Sequence, residues 1–158
     1  SQQRGSGSRV FVWGNRACWP ASEDQRSPDA LRTPTEVPWF EHYALENNCK
    51  WEQLSFGPSF GVSRTDSGEI FLWGSATKNG KGRQFAPPRR LVFKEKTDAR
   101  FHDVQCSESS VWGLTLEGDV IVWEMVPNMI SEHLSASQMP RPCTGGRRLD
   151  IKKVKQMP

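Results

Sequence analysis

A 50-residue period constrains this chain more than any other feature. The stretch Gly68-Glu69-Ile70-Phe71-Leu72-Trp73-Gly74 turns on a glycine and then runs through apolar residues to a tryptophan. It returns as Gly118-Asp119-Val120-Ile121-Val122-Trp123, with Trp73 and Trp123 50 residues apart. A third version, Ser8-Arg9-Val10-Phe11-Val12-Trp13-Gly14, lies near the start, with Ser at the glycine position. A second landmark precedes each later tryptophan strand: Trp51 to Gly57, then Phe101 to Ser107, then Ile151 to Met157. Within it Leu54, Val104 and Val154 are again spaced by 50. Two landmarks sharing one spacing mark a repeat architecture, in which each unit buries its apolar surface only against its neighbours. Trp13 to Leu54 spans 41 residues, whereas Trp73 to Val104 and Trp123 to Val154 span 31. The first copy therefore carries about ten extra residues, which read as a loop across the polar stretch Asn15 to Thr35.

The repeating segments are short, rich in β-branched and aromatic residues, and apolar on both faces. That is the pattern of strands covered on two sides. Glu52–Phe56, Phe60–Arg64 and Glu69–Gly74 read as a meander closed by turns at Gly57-Pro58 and Asp66-Ser67-Gly68. His102–Cys106, Val111–Leu116 and Asp119–Trp123 repeat it. Pro38-Trp39-Phe40 and Gln84–Phe93 read as outer strands or their approach, because proline cannot donate to an inner ladder. Ser27–Leu31 and Met129–Leu134 read as helical turns, the first with Pro28 at its opening position. Four short strands in each 40–50 residues make a propeller blade. A sheet apolar on both faces becomes stable when such blades stack face to face around an axis.

The expected fold is therefore all-β: a partial β-propeller of about three blades, belonging to a longer ring. Residues 1–9 form a flexible tail and 10–158 the propeller segment, with copies at about 10–50, 51–100 and 101–150 and the start of another at 151–158. Because the period stops just after Val154, the chain reads as the N-terminal part of a longer propeller.

These residues carry a family resemblance. Leu54-Ser55-Phe56-Gly57 through Trp73-Gly74, and Val104-Gln105-Cys106-Ser107 through Trp123, resemble the repeat of the regulator-of-chromosome-condensation family, as does the period. The resemblance covers nearly all of residues 9–158. It implies a ring of seven blades and, as the family's founding activity, guanine-nucleotide exchange on a small GTPase. The chain departs from the family pattern at Phe60 and Ser110, where the family often has His. The loop that comes after Trp-Gly survives only as Asn79-Gly80-Lys81-Gly82, and Glu124 replaces the glycine after Trp123. No exchange residue carries over. The WD-repeat propeller, with a period of ~40–45 and a Trp-Asp ending, matches neither landmark.

Little in the chain points to chemistry. Formal net charge is +3, from 21 basic and 18 acidic residues. The doublets Arg89-Arg90, Arg147-Arg148 and Lys152-Lys153 read as a solvated rim, short of the dense basic stripe of a nucleic-acid binder. No apolar run approaches the ~20 residues of a membrane helix. Cys18, Cys49, Cys106 and Cys143 form no Cys-x-x-Cys pair and read as reduced thiols. His42, His102 and His133 are far apart and lack partners. Gly80 and Gly82, beside Lys78, Lys81 and Arg83, lack the spacing and the helix of a phosphate-binding loop. Trp13, Trp73 and Trp123 read as equivalent core residues, and Trp112, in the register of Val62, reads as core too. Trp19 and Trp39 fall outside the repeat. Together with Lys78, Lys81 and Arg83 they are the candidate partner-binding residues, the alternative for each Trp being to fill the base of the insert.

The expectation is an intracellular, non-catalytic scaffold without cofactor or metal, meeting a protein partner through rim loops at 15–37, 75–86 and 125–148. Nucleotide exchange is the first alternative. Chromatin or nucleic-acid binding, through Arg4, Arg9 and the basic rim, is the second and weaker one. Nuclear and mitochondrial placement are both open.

Overall fold

The computed structural model describes residues 8–15, 18, 30–77, 83–135 and 143–150. The chain opens with strands β1 (Phe11–Asn15) and β2 (Ala30–Glu36), which pair antiparallel, and then helix α1 (Pro38–Asn47). Strands β3 (Trp51–Phe56), β4 (Phe60–Thr65), β5 (Ile70–Thr77) and β6 (Arg83–Phe93) form an antiparallel meander. Strands β7 (Phe101–Cys106), β8 (Val111–Thr115) and β9 (Val120–Trp123) repeat it. Helix α2 (Val126–Ser135) and the short strands β10 (Cys143–Gly145) and β11 (Arg147–Arg148) close the described chain. Strand β10 adds in parallel to β6, and β11 adds antiparallel to β9. The sheets thus run β2-β1, β10-β6-β5-β4-β3 and β11-β9-β8-β7.

The meanders match the sequence pattern closely. The turns Asp66-Ser67-Gly68 and Glu117-Gly118 put glycine at φ 87° and 93°, where a side chain is strained, and each glycine N–H bonds back to a threonine carbonyl. Both β3–β4 and β7–β8 slip register by one step at the same place, between Trp51 and Gln53 and between Phe101 and Asp103. Gly61 sits against the Trp73 ring, where an added Cβ would lie 2.5 Å from Cζ2. Gly113 is equally close to Phe101, at 2.7 Å.

Two sequence readings change. Pro38-Trp39-Phe40 is not an edge strand but the first turn of α1. Proline's missing N–H is tolerated at either place. The rest of the segment, Glu41 to Asn47, holds no β-branched residue and favours the helix. Phe40 and Ala44, one turn apart, are both buried, and Asn48 closes the helix in the left-handed conformation with its N–H on the Ala44 carbonyl. The polar stretch 15–35 is likewise not all loop, because β2 begins at Ala30. The helical turn read at Ser27–Leu31 falls partly outside the described residues, and Ala30 and Leu31 open β2. Val12 pairs with Thr35, whereas their equivalents Leu72 and Arg89 are closer in sequence. The extra length of the first copy is therefore shared between this connection and α1. The turn read at Met129–Leu134 is the middle of α2.

The main core is shared by the two large sheets. Phe60, Val62, Ile70 and Leu72 of the first pack with Val104, Val111, Ile121 and Trp123 of the second. Val126 and Ile130 of α2 join this core. A smaller core holds Trp73 against Phe40 and Val10, with Trp39 and Trp51 at its edge. Successive strand residues point to opposite faces, so the middle sheet has an apolar neighbour on each side.

Candidate protein-interaction surface

The pairing registers assign each side chain to a face. On the middle sheet, Ser55, Val62, Leu72 and Arg89 lie across from one another, with Gln53, Arg64 and Ile70 in the next row. This face meets the last sheet. At its inner edge the Gln53 side-chain amide donates to Asp103 Oδ1 at 2.6 Å and to the Val104 carbonyl at 2.9 Å. The Cys106 amide donates to Ser55 Oγ at 3.0 Å. Val62 in this face is fully buried.

On the last sheet, the same registers hold Gln105, Trp112, Val122 and Arg147, then Asp103, Leu114 and Val120. Trp112 thus occupies the place of Val62, as its spacing requires, yet it is 39% exposed, and Leu114 is 37% exposed. The reading of Trp112 as core is corrected: its register is that of a covered position, and its row neighbour Val122 is buried, but the Trp112 ring itself stays partly exposed among the described residues. Trp13 is corrected in the same way. Trp73 and Trp123 are each 1% exposed, but Trp13 is 63% and Phe11 43% exposed. Trp73 faces α1 and Val10, and Trp123 faces the middle sheet. Trp13 faces outward at the other end of the stack.

The opposite face of the middle sheet is half covered. Phe71 and Trp73 lie under α1, with Phe71 touching Trp39, Tyr43 and Trp51 at ring separations of 4.7–5.4 Å. Leu54 and Phe56, on the inner strand β3, are 40% and 49% exposed; among the described residues the first sheet consists of β1 and β2. Among the described residues, Phe11, Trp13 and Trp112 are thus exposed at places whose equivalents Phe71, Trp73 and Val62 are buried.

No family model matches the chain, and no curated protein matches it. Solved structures do. Over 89% of its length the chain is similar to human WBSCR16, with TM-score 0.56 and 19% identity, and it spans 34% of that chain. Over 90% it is similar to a chain of the complex of Kap60 with yeast RCC1 (Prp20), with TM-score 0.59 and 13% identity, spanning 33% of it. The fold is that of a partial β-propeller of the RCC1 type. The three sheets among the described residues correspond to its blades, the first described through two strands, and the chain spans about a third of the length of the chains it is similar to.

The candidate partner residues take separate places on this propeller. Trp39 is partly buried in the aromatic group over the middle blade, stacked on Tyr43 at 5.3 Å and edge-on to Phe40 at 5.0 Å. Arg83 opens β6 opposite Thr77. Trp19, Lys78 and Lys81 lie outside the described residues, as do Ile151 to Lys155. Of the rim segments, 125–148 carries α2 and β10 in its described part.

Charges on the described rim are largely paired. Arg147 forms an ion pair with Glu124 at 2.8 Å, Arg148 with Asp119 at 3.5 Å, and Arg9 with Glu36 at 2.6 Å. Lys96 pairs with Glu117. Beside α1, Glu69 accepts from the Tyr43 hydroxyl at 2.6 Å and from Arg100 at 2.8 Å. Burial alone would push the Glu69 carboxyl up, but these two donors and the charge of Arg90 outweigh it and hold the carboxyl below the usual range. The same burial, reinforced by Glu69, pushes the Tyr43 phenol up. Burial also pushes the Cys106 and Cys143 thiols up to about 11. Among the described residues no three His, Cys, Asp or Glu gather as metal ligands. Neither described helix is long and apolar enough to cross a membrane.

The surface missed by the sequence reading is the face of Trp112 and Leu114. Its signal was present at the 50-residue spacing, where Val62 becomes Trp112 and Arg64 becomes Leu114.

Proposed function

We propose that this propeller segment is a non-catalytic scaffold that binds a protein partner through the open face of its last blade. One observation carries the reading. At the register where the middle blade has covered Val62 and Arg64, the last blade presents partly exposed Trp112 and Leu114. Exposed large apolar groups grouped on a rigid sheet are the mark of an interaction surface, and tryptophan is prominent among residues that dominate binding energy. The yeast RCC1 of the similar structure is itself bound to another protein, Kap60. That precedent supports protein binding by this architecture without naming the partner.

The test is recovery of associated proteins from cells by the wild-type chain and by Trp112→Glu, each quantified by mass spectrometry. Loss of a binding anchor costs at least ~2 kcal/mol, or roughly thirtyfold in affinity. A defined set of proteins should be lost with the variant and be indifferent to added guanine nucleotide. Identical recovery by both chains would sink the reading.

A further inference from the structure

Helix α1 fills a place in the repeat that the next copy leaves open. It lies in the connection from β2 to β3, where its Tyr43 ring rests on Phe71 at 4.7 Å and the hydroxyl donates to Glu69 at 2.6 Å. The corresponding connection from β6 to β7, Lys94 to Arg100, is half as long and holds no helix. The carboxylate it would meet is nevertheless set up in the same way. Asp119 stands 50 residues after Glu69. The backbone N–H of each donates to a threonine hydroxyl, Thr65 at 3.1 Å and Thr115 at 3.0 Å. Each carboxylate also faces an arginine, Arg100 at 2.8 Å and Arg148 at 3.5 Å. Ile121 stands where Phe71 stands. Among the described residues, however, no hydroxyl donates to Asp119. In place of the tyrosine there is a cleft of about 200 Å³, with the buried Phe93 and Ile121 as its floor, Ala99 on one wall, and Asp119 and Arg148 beside them. It lies on the side of the last blade that turns to the middle blade, opposite Trp112, and its whole lining is among the described residues.

Size and charge narrow the occupant. The cleft is smaller than the ~300–1,000 Å³ of pockets that enclose a whole small-molecule ligand, so it suits a single side chain. Its lining carries as many cations as carboxylates, and Lys96 is paired with Glu117 at its rim, which favours a neutral group over a free ion. An apolar floor with a carboxylate at its edge matches a phenol, a flat apolar body with one hydroxyl donor. We propose that this cleft is a second protein-docking site that receives a tyrosine side chain of a partner. The ring rests on Phe93 and Ile121, and the hydroxyl donates to Asp119 as Tyr43 donates to Glu69 within the molecule. The site is separate from the face of Trp112 and does not depend on it.

Heteronuclear NMR of the isotope-labelled 158-residue chain, titrated with acetyl-Gly-Tyr-Gly-amide and acetyl-Gly-Phe-Gly-amide, tests this. The tyrosine peptide should shift the amides of Ala99, Leu116 and Ile121 saturably, at millimolar concentration because only one side chain is seated. The phenylalanine peptide should shift the same amides with about tenfold weaker affinity, the worth of a hydrogen bond to a charged acceptor. Asp119→Ala should lower the tyrosine peptide to the affinity of the phenylalanine peptide and leave the latter unchanged, a selective loss that a merely structural role would not produce. Ala99→Trp should abolish both by filling the cleft. Trp112→Glu, on the opposite face, should bind both peptides as the wild type does. Peptides that shift none of these amides overturn the proposal, as do peptides that bind equally with and without the hydroxyl. A tyrosine preference that survives Asp119→Ala overturns it too. If Trp112→Glu abolishes the shifts while Ala99→Trp keeps them, the peptides sit on the other face, and the cleft is refuted while that face stands.

Discussion

Replacing Trp73 and Trp13 with alanine, one at a time, separates register from coverage. The two residues occupy the same place in successive copies of the repeat. Trp73 is 1% exposed; its ring packs edge-on against Phe40 at 5.4 Å and Phe56 at 6.1 Å, and its Nε1 donates to the Cys18 carbonyl at 2.8 Å. Truncating a buried tryptophan costs ~3–5 kcal/mol through lost transfer energy and the cavity left behind. For a chain of this size each kcal/mol shifts Tm by roughly 2–4 °C, so Trp73→Ala should melt about 6–20 °C below the wild type. Trp13 is 63% exposed, and Trp13→Ala should stay within ~0.5 kcal/mol, as for other surface changes. The assay is paired urea and thermal unfolding followed by circular dichroism. Equal losses from the two variants, large or small, would refute the argument that coverage by a neighbouring blade or helix sets the energy of this position.

Gly61→Ala should destabilise by ~1–3 kcal/mol, because the new Cβ would overlap the Trp73 ring; an unchanged urea midpoint would contradict that packing. Glu69 makes an acid-side prediction. Its folded pKa lies below the ordinary glutamate value of about 4.3, so its stabilisation is present above that pH and is lost as pH falls through the folded value. Glu69→Gln should therefore be clearly less stable than wild type at pH 7, and the gap should shrink progressively as pH falls below the ordinary glutamate value, as read from urea midpoints. Cys106 and Cys143, whose thiols burial pushes up to about 11, should resist iodoacetamide at pH 8 and react once urea is added; labelling in the folded state would show that these strands open.

What the sequence made legible were features that depend on local pattern. The meanders Phe60–Gly74 and Val111–Trp123 were readable because strand, glycine turn and strand recur at one spacing, and the positive φ of Gly68 and Gly118 is a consequence of the turn itself. Helix α1 was not readable, because Pro38-Trp39-Phe40 suits the start of a helix as well as an edge strand; the docking of Phe40 and Ala44 decides between them. Nor was the exposure of Trp13 and Trp112. Periodicity gives the face a residue occupies, whereas burial depends on whether another element lies over that face. The candidate surface was missed for the same reason. Its residues look like core from the period alone, although the change from Arg64 to Leu114 already marked the third copy as different.

Everything above depends on equivalent meanders stacking face to face as blades. The contacts that report on this stacking join residues 50 or more apart at the inner edge: Gln53 with Asp103 and Val104, and Ser55 with Cys106. Nuclear Overhauser spectra of isotope-labelled chain should connect the Gln53 side-chain amide protons to Val104 and the Cys106 amide to the Ser55 β-protons, alongside the strong sequential Hα–HN contacts of strands through 51–56 and 101–106. Absence of both long-range contacts, or medium-range helical contacts in either segment, would contradict the stacked-blade fold.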